Sequence, residues 1–217
     1  VGNAANAAIS AARLGLKTSI VTNLGGDRDG EDCLAELKRN KVETDFVKIN
    51  RGQKTNYHYV LWYGAERTIL IKHQDYEYTL PNVGSPKWVY FSSVNETAYP
   101  GFHNKLVEYL EKHTEINFAF QPGKFEIKLG KEKLARFYQR AQIFFCNVEE
   151  AERILGLRDR EAKELLTEMH KLGSKTVVIT DGPRGAYAYD GANFWQMPIY
   201  PDPKPPYSRT GAGDAFS

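Results

Sequence analysis

The segment near the carboxyl terminus combines small residues with a single acid. Gly211, Ala212 and Gly213 precede Asp214, and the pattern predicts the start of a helix there. The first N–H groups of a helix lack intrahelical acceptors, and small residues let an anion approach them closely. A carboxylate beside such amides can take a proton from a hydroxyl group while the amides hold a phosphoryl group. The same residues also fit an ordinary loop with a helix N-cap.

A second candidate motif lies at the other end of the chain. Gly2, Asn3 and Asn6 open an alanine-rich run that ends at Gly15. The run predicts a small-residue helix closed by a glycine in the left-handed conformation. The amide side chains of Asn3 and Asn6 would lie at the start of this helix, where they can hydrogen-bond a polyol. Simple N-capping by these asparagines is the alternative.

The chain carries a series of motifs in an order typical of one family. They are Gly-Asn-Ala-Ala-Asn-Ala-Ala at residues 2–8, Asn-Leu-Gly-Gly-Asp-Arg-Asp-Gly at 23–30, Asn-Val-Glu-Glu at 147–150 and Arg-Thr-Gly-Ala-Gly-Asp-Ala-Phe at 209–216. With them the whole chain resembles the ribokinase-like (PfkB) carbohydrate kinase family, and the two end motifs resemble its two signatures. The resemblance implies an α/β fold, with a parallel sheet covered by helices on both faces and a small β-hairpin lid.

The resemblance also implies an activity. An ATP-dependent kinase of this type transfers the γ-phosphoryl group to a hydroxyl of a small sugar or sugar-like substrate. Asp214 would be the catalytic base, and the amides of residues 211–213 would hold the phosphoryl oxygens. Gly2, Asn3 and Asn6 would bind the substrate together with Asp214.

Further candidates follow two predicted strands. Asn147 and Glu150 come directly after the strand predicted at residues 143–146, at the sheet edge where α/β proteins bind ligands. By the resemblance, Asn147 faces phosphate and Glu150 positions Mg²⁺ through water, which suits an ion that keeps its waters. An N-cap with acidic first-turn residues explains both without a ligand. Thr180 and Gly182 match family positions that line the ATP phosphates, with an ordinary hairpin as the alternative.

The chain departs from the family pattern just before the second signature. The family usually has Asp-Thr-x where this chain has Ser208, Arg209 and Thr210. That Asp often helps to bind an activating monovalent cation, and serine cannot supply its charge, so the resemblance leaves K⁺ activation open. Arg209 offers a fixed cation or a phosphate contact instead, and Arg184 is a further candidate for the ATP phosphates. The substrate stays open as well.

Other functions remain as alternatives to a sugar kinase. A nucleoside kinase of the same family is one, and a catalytically weak relative that binds nucleotide or sugar as a sensor is another. An unrelated dinucleotide-binding oxidoreductase is the third, although no Gly-x-Gly-x-x-Gly fingerprint follows a strand. The chain also lacks a Gly-x-x-x-x-Gly-Lys-Ser/Thr motif, which argues against a P-loop NTPase.

Composition sets independent bounds. The 217 residues are 41% hydrophobic and 26% charged, with a formal net charge of +2, which indicates an ordinary globular chain without a nucleic-acid or membrane-binding charge pattern. No apolar run is long enough to span a bilayer. Cys33 and Cys146 are expected to be free thiols, so we expect a cytoplasmic protein. Because the chain opens with Val-Gly and closes on a short helix start, we expect it to be incomplete at both ends.

Strand and helix patterns alternate along most of the chain. Strands are predicted at residues 18–22, 46–49, 88–92, 116–120, 143–146 and 176–180, and helices at 32–40, 102–113, 131–140, 149–155 and 160–172. This spacing predicts βαβ crossovers and a parallel sheet. The five histidines lack zinc-ligand spacing and are expected at the surface or partly buried.

One aromatic segment breaks this alternation. Residues 55–63 and 68–73 predict a β-hairpin with a turn at 64–67, and no helix separates the two strands. We therefore divide the chain into the start of the core at 1–50, a lid insertion at 51–75 and the rest of the core at 76–217. In the family such a lid covers the sugar and sometimes forms a homodimer contact, while an edge hairpin is the alternative.

Overall fold

The chain divides into two compact units, each of which is described by itself. Unit 1 comprises Val1–Val83 and Asn95–Phe102, and unit 2 comprises Gly84–Val94 and His103–Ser217. The computed structural model describes residues 2–63, 66–201 and 211–217. The functional division into a core and a lid insertion at 51–75 stays a prediction.

Unit 1 contains a short parallel sheet, a hairpin and two long helices. Its elements are α1 (Asn3–Arg13), β1 (Thr22–Gly25), α2 (Arg28–Arg39), β2 (Val47–Asn50), β3 (Tyr57–Tyr63), β4 (Glu66–Lys72) and a 3-10 helix (Glu96–Ala98). Strand β1 pairs parallel with β2. The strand predicted at 18–22 is wrong in its bounds, because only Ser19 bridges Glu43 before the regular ladder begins at Thr22.

Helix α1 has the predicted small-residue character. Four of its alanines and Ile9 pack against a buried cluster of Ile20, Leu37 and Val42, because side chains this small allow close approach. The helix ends as predicted, since Gly15 has φ +92 and its N–H donates to Ala12 O at 3.0 Å. Such a left-handed glycine is the common C-terminal stop signal of helices.

Helix α2 begins earlier than the predicted residue 32. Asp27 is its N-cap, and Asp27 Oδ1 accepts a hydrogen bond from Gly30 N at 3.1 Å. Thr55 Oγ1 donates to the same oxygen at 2.6 Å and accepts from Gly25 N at 3.0 Å. A Cβ on Gly25 would lie 2.3 Å from Thr55 N, so this motif requires glycine for close backbone approach.

The predicted hairpin is present in unit 1. Strands β3 and β4 pair antiparallel from Tyr57 opposite Lys72 to Tyr63 opposite Glu66, and the turn residues 64 and 65 lie outside the described residues. Tyr59 and Leu70 are opposite each other and are 61% and 51% exposed. One face of this hairpin therefore presents apolar side chains to its surroundings.

Unit 2 is built on a six-stranded sheet in the order β10-β9-β8-β7-β6-β5. The strands are β5 (Trp88–Phe91), β6 (Asn117–Phe120), β7 (Ile143–Asn147), β8 (Thr176–Thr180), β9 (Ala186–Tyr189) and β10 (Phe194–Met197). Strands β5 to β8 are parallel, as predicted, whereas β9 and β10 extend the sheet antiparallel. Strand β10 was not predicted, because its side chains are exposed and show no buried face.

The helices that follow these strands are α3 (Gly101–Lys112), α4 (Lys124–Leu129), α5 (Ala135–Arg140), α6 (Val148–Leu155), α7 (Ala162–His170) and α8 (Ala212–Phe216), with a 3-10 turn at Gly182–Arg184. The helix predicted at 131–140 was too long, and α4 was missed because six residues carry little periodicity. No helix in the described part of the chain has the length and apolarity to cross a membrane.

The core of unit 2 is largely aromatic. Phe118, Phe120 and Phe144 are completely buried, and the Phe91 and Phe120 rings stack with centroids 5.7 Å apart. Strand β6 is buried at three of its four positions, which is typical of parallel strands covered on both faces.

A buried acid in α4 connects the loops after β5 and β6. Glu126 is fully buried, and its carboxylate accepts hydrogen bonds from Val94 N and Gly123 N, both at 3.1 Å. His103 Nε2 lies 3.6 Å from Glu126 Oε1, and His103 is only 1% exposed. The expectation that all histidines lie at or near the surface was therefore wrong for His103.

Candidate active site

The predicted site residues of unit 2 gather at the carboxyl ends of its parallel strands. Asn147 ends β7 and Thr180 ends β8, and the two residues are direct partners in the parallel ladder. Gln121 follows β6 immediately, and its backbone N–H donates to Phe91 O at 2.9 Å. Ligands of α/β proteins bind at this edge because the loops there are free to vary.

Asn147 and Glu150 form a reciprocal capping box at the start of α6. Asn147 Oδ1 accepts from Glu150 N at 2.8 Å, and Glu150 Oε2 accepts from Asn147 N at 2.9 Å. The helix-capping interpretation of these residues is thus confirmed as a structural role. The capping box uses only one of the two Glu150 carboxylate oxygens. Glu150 can therefore cap the helix and also bind a ligand.

The Glu150 carboxyl carries an electrostatic cost. Burial raises its pKa, and the negative charges of Asp214 and Glu149 raise it further, while the hydrogen bond from Asn147 N and the charge of Arg153 oppose them. Burial also raises the pKa of the neighbouring Cys146 thiol, with Glu150 as the next cause. Asp214 and Glu150 are therefore close enough to feel each other's charge.

Asp214 lies in the first turn of the short helix α8. The N-cap residue Gly211 has φ +80 and ψ 3, a left-handed conformation that favours glycine. The ladder of α8 begins with Ala215 N donating to Gly211 O at 2.9 Å. A Cβ on Gly213 would meet nothing within 4 Å, so the space beside this amide is open.

Two residues that sequence reasoning missed contact Asp214 or its neighbours. Gln121 Nε2 lies 3.5 Å from Asp214 Oδ1, and Tyr90 Oη donates to Gln121 Oε1 at 2.8 Å. Ser217 Oγ lies 3.1 Å from Tyr90 Oη and 3.2 Å from Asp214 O. Burial is the main cause that raises the pKa of the Tyr90 phenol. The position of Gln121 directly after a predicted strand was the signal in the sequence that could have found it.

The segment after β8 holds the remaining candidates of unit 2. Gly182 has φ +50 and opens the 3-10 turn. The Arg184 guanidinium forms a two-pronged contact with Asp181, at 2.6 Å and 2.7 Å, and this pairing raises the pKa of Arg184. The guanidinium predicted as a phosphate contact is therefore engaged by a carboxylate in this structure.

The candidates from the amino-terminal motif belong to unit 1. Gly2 is the N-cap of α1 in extended conformation. Asn3 is the first helical residue, and Asn6 N donates to Gly2 O at 3.0 Å. Gly2, and neither asparagine, therefore holds the N-cap position. Ser208, Arg209 and Thr210 lie outside the described residues.

The donor set at the carboxyl edge fits a magnesium ion. Glu150 and Asp214 offer carboxylate oxygens, and the raised pKa of Glu150 indicates a position that a cation would stabilise. No cluster of three or more His, Cys, Asp or Glu side chains occurs among the described residues. Mg²⁺ commonly binds through one or two carboxylates and completes its shell with water and phosphate oxygens, so a sparse set of this kind suffices.

Known proteins match the chain over almost its whole length. Residues 2–217 match the profile of the pfkB family carbohydrate kinases. A cytidine kinase of Thermococcus kodakarensis is 30% identical over 222 residues, which cover 100% of this chain and 77% of that protein. A ribokinase of Mus musculus is 26% identical over 223 residues, covering 99% of this chain and 68% of that protein.

Solved structures agree with the sequence comparison. An uncharacterized sugar kinase of Pyrococcus horikoshii in complex with ATP has a TM-score of 0.77 and 25% identity, covering 100% of this chain and 72% of that one. The predicted ribokinase-like α/β fold is thus confirmed. The chain belongs to the pfkB family of carbohydrate kinases, which are phosphotransferases with an alcohol group as acceptor.

Proposed function

We propose that the protein transfers the γ-phosphoryl group of ATP to a hydroxyl group of a small sugar or sugar-like substrate. The observation that carries the proposal is the position of Asp214 in the first turn of α8, within electrostatic reach of Glu150 at the strand ends. The ATP complex of the related P. horikoshii sugar kinase supports ATP as the donor.

Asp214 acts as the base in this proposal. Its carboxylate takes the proton of the acceptor hydroxyl as the oxygen attacks the γ-phosphorus, and the bond from that phosphorus to the bridging oxygen of ADP breaks. Such a reaction depends mainly on positioning and on stabilisation of the charge on the transferred oxygens. The N–H groups around residues 211–213 supply that stabilisation, because the first turn of a helix has amides without intrahelical acceptors.

The edge of the sheet holds the nucleotide phosphates. Asn147, Thr180 and Gly182 lie at the ends of the neighbouring strands β7 and β8, where polar groups and backbone amides can face phosphate oxygens. Glu150 would hold Mg²⁺ through a water molecule, and Asp214 is a second carboxylate within its electrostatic reach. When bound, the ion would neutralise charge on the phosphate oxygens. A monovalent cation stays an open expectation, because residues 208–210 are not described.

Gly2, Asn3 and Asn6 bind the acceptor in this proposal, through amide groups that can donate to and accept from sugar hydroxyls. The hairpin of β3 and β4 acts as the lid over the acceptor. Its exposed apolar face also suits a homodimer contact, which sedimentation velocity can test. The cytoplasm remains our expected location.

A nucleoside kinase is the second candidate. The relative with 30% identity is a cytidine kinase, and a nucleoside offers the same kind of hydroxyl group to the base. Sugar and nucleoside acceptors both present a hydroxyl group to Asp214. They differ in the residues that must contact the rest of the acceptor. The observed site in unit 2 therefore supports both.

The first experiment measures ADP release with Mg²⁺ and ATP for a panel of acceptors. The panel contains ribose, fructose, related hexoses and the common ribonucleosides. Stimulation by one sugar supports the main proposal, and stimulation by one nucleoside supports the second candidate. Binding of nucleotide without acceptor-dependent ADP release by any compound would favour a catalytically weak relative.

The second experiment replaces the base. Asp214→Asn should lower turnover by roughly 10²–10⁴-fold, the usual contribution of a general base, while nucleotide affinity stays near that of the wild type. Asp29→Asn is the matched control, since Asp29 is also an acid in the first turn of a helix. Near-normal turnover of the Asp214→Asn protein would exclude Asp214 as the base.

A further inference from the structure

We propose that Gln121 is a positioning residue for Asp214: its amide N–H group holds one carboxylate oxygen, and Tyr90 holds the amide in the orientation that makes this possible. The inference rests on the proposed function of Asp214 and adds a residue to it. It is carried by a chain of hydrogen bonds at the carboxyl edge of the sheet in unit 2.

The contacts form a closed circuit. Tyr90 Oη donates to Gln121 Oε1 at 2.8 Å, and Gln121 Nε2 reaches Asp214 Oδ1 at 3.5 Å. Ser217 Oγ lies 3.1 Å from Tyr90 Oη and donates to Asp214 O at 3.2 Å. Each member of the circuit thus contacts two others. The bond to Asp214 is long, so we expect it to tighten when the acceptor is bound.

Hydrogen-bond chemistry dictates the orientation of the Gln121 amide. An ionised carboxylate accepts hydrogen bonds only, so the NH₂ group must face Asp214. The amide oxygen then faces Tyr90, whose phenol can donate to it. A Gln121 side chain turned by 180° would place its oxygen against a carboxylate and lose the contact with Asp214, whereas the Tyr90 hydroxyl can either donate or accept. Asp214 therefore selects the amide orientation, and Tyr90 anchors the amide in it.

The backbone around Gln121 is held firmly. Its N–H donates to Phe91 O at 2.9 Å, and the next two residues, Pro122 and Gly123, are buried. The buried carboxylate of Glu126 accepts from Gly123 N and from Val94 N. These bonds fix the loop after β6 against the loop after β5, so Gln121 extends from a rigid base, as a positioning residue requires.

The negative charge of Glu150 is the reason why the Gln121 amide matters for Asp214. Asp214 and Glu150 repel each other when both are ionised, and this repulsion contributes to the raised pKa of Glu150. A hydrogen bond from a neutral donor holds a carboxylate in place without adding a charge. Gln121 therefore helps to keep Asp214 correctly aimed beside a second negative charge.

The test compares Gln121→Met and Gln121→Glu with the wild-type protein. Methionine has a similar length but no donor, and glutamate keeps the shape while adding a negative charge. For Gln121→Met we expect kcat to fall about tenfold or more, the effect of losing a hydrogen bond to a charged group, while KM for ATP stays unchanged. In Gln121→Glu the fall in kcat should be larger, because the added carboxylate repels Asp214 instead of donating to it.

Two further variants sharpen the result. Tyr90→Phe keeps the Gln121 amide but removes the hydrogen bond that anchors it, so it should lower kcat by a smaller factor and leave KM for ATP unchanged. Gln142→Met is the matched control, because Gln142 directly precedes β7 at the opposite end of the sheet, where its N–H donates to Phe118 O at 2.8 Å. We expect Gln142→Met to leave both kcat and KM for ATP unchanged.

A spectroscopic measurement keeps this inference separate from the proposed function. The ¹³C chemical shift of the Asp214 carboxyl at one fixed pH should change in Gln121→Met and keep its wild-type value in Gln142→Met, whether or not an acceptor is known. An unchanged resonance together with an unchanged kcat in Gln121→Met would overturn the positioning role, even in an active enzyme. Failure of every acceptor with a changed resonance would instead refute the proposed function and leave the positioning role intact.

Discussion

At the scale of single residues, the start of α6 combines two demands on one side chain. Glu150 completes the capping box with Asn147, which stabilises the helix, yet its carboxyl is desolvated and lies in the field of Asp214. A carboxylate that costs free energy in the folded state is typical of functional sites. The cost would be offset when a cation binds there.

We expect Glu150→Gln to separate these demands. Glutamine still accepts from Asn147 N, so the cap is kept. In the wild type the folded-state pKa lies above the ordinary 4.5, so the folded chain binds the proton more tightly than the unfolded chain. The free energy of unfolding therefore falls as pH rises through the interval above 4.5, up to the raised folded-state pKa. The free energy of unfolding of the Glu150→Gln variant should not fall over this pH interval. At neutral pH the variant should be at least as stable as the wild type.

Urea unfolding at acidic and neutral pH measures the stability, and ADP release as a function of Mg²⁺ concentration measures function. The variant should need more Mg²⁺ and turn over more slowly. Glu149→Gln is the control, because Glu149 is exposed in the same turn and pairs with Arg153 at 3.4 Å. A loss of stability in Glu150→Gln at neutral pH, or an unchanged Mg²⁺ requirement, would contradict the assignment.

At the scale of elements, α8 shows how a short helix presents its amides. Gly211 turns the chain in the left-handed region, and Gly213 leaves open space in the first turn. The two glycines thus serve different purposes, since one permits the backbone path and the other permits approach from outside. Substitution of each by alanine distinguishes them.

Gly213→Ala should preserve the fold and impair catalysis. The added methyl group meets no protein atom within 4 Å, and alanine favours helix over glycine by up to ~1 kcal/mol. If phosphate oxygens approach this amide, the methyl group will obstruct them and lower kcat/KM for ATP on the order of tenfold. Thermal unfolding and ADP release are the measurements.

Gly211→Ala provides the comparison for that variant. Alanine at φ +80 is strained, by roughly 1–2 kcal/mol, so this variant should lose stability as well as activity. Wild-type kinetics in Gly213→Ala would show that no anion approaches this turn.

At the scale of the whole molecule, the candidate residues are distributed over both units. The nucleotide-phosphate candidates and Asp214 belong to unit 2, whereas Gly2, Asn3 and Asn6 belong to unit 1. The proposed reaction therefore predicts that the nucleotide and the acceptor protect different parts of the chain from amide hydrogen exchange. Local protection from amide exchange can report this without knowledge of the chemistry.

Hydrogen–deuterium exchange with mass spectrometry tests this distribution. ADP with Mg²⁺ should slow exchange at residues 147–150, 180–185 and 211–214, because ligand binding suppresses local opening. The acceptor identified by ADP release should slow exchange at the start of α1. The α5 segment, which contains no candidate, is the internal control. Acceptor-induced protection confined to unit 2 would remove Asn3 and Asn6 from the proposed site.

Local patterns accounted for much of the fold. The alternation of strands and helices in unit 2, the glycine stop of α1 and the hairpin of β3 and β4 all follow from short-range signals, and the structure confirms them. Errors occurred where a partner outside the segment decided the outcome. Helix α2 begins early because Asp27 also binds Thr55, and His103 is buried because it packs beside Glu126 and Phe91.

The sequence by itself determined the family and most of the order of elements, and it led to the proposal of Asp214 as the base, because these depend on motifs whose members are near neighbours in the chain. Only the tertiary structure decided that Gln121 and Tyr90 lie at Asp214 and that Glu150 is desolvated in its field. Gln121 and Asp214 are 93 residues apart, and parallel strand pairing brings their segments to one edge of the sheet. Contacts between side chains of different segments depend on this pairing. The local periodicity of the sequence therefore does not predict them.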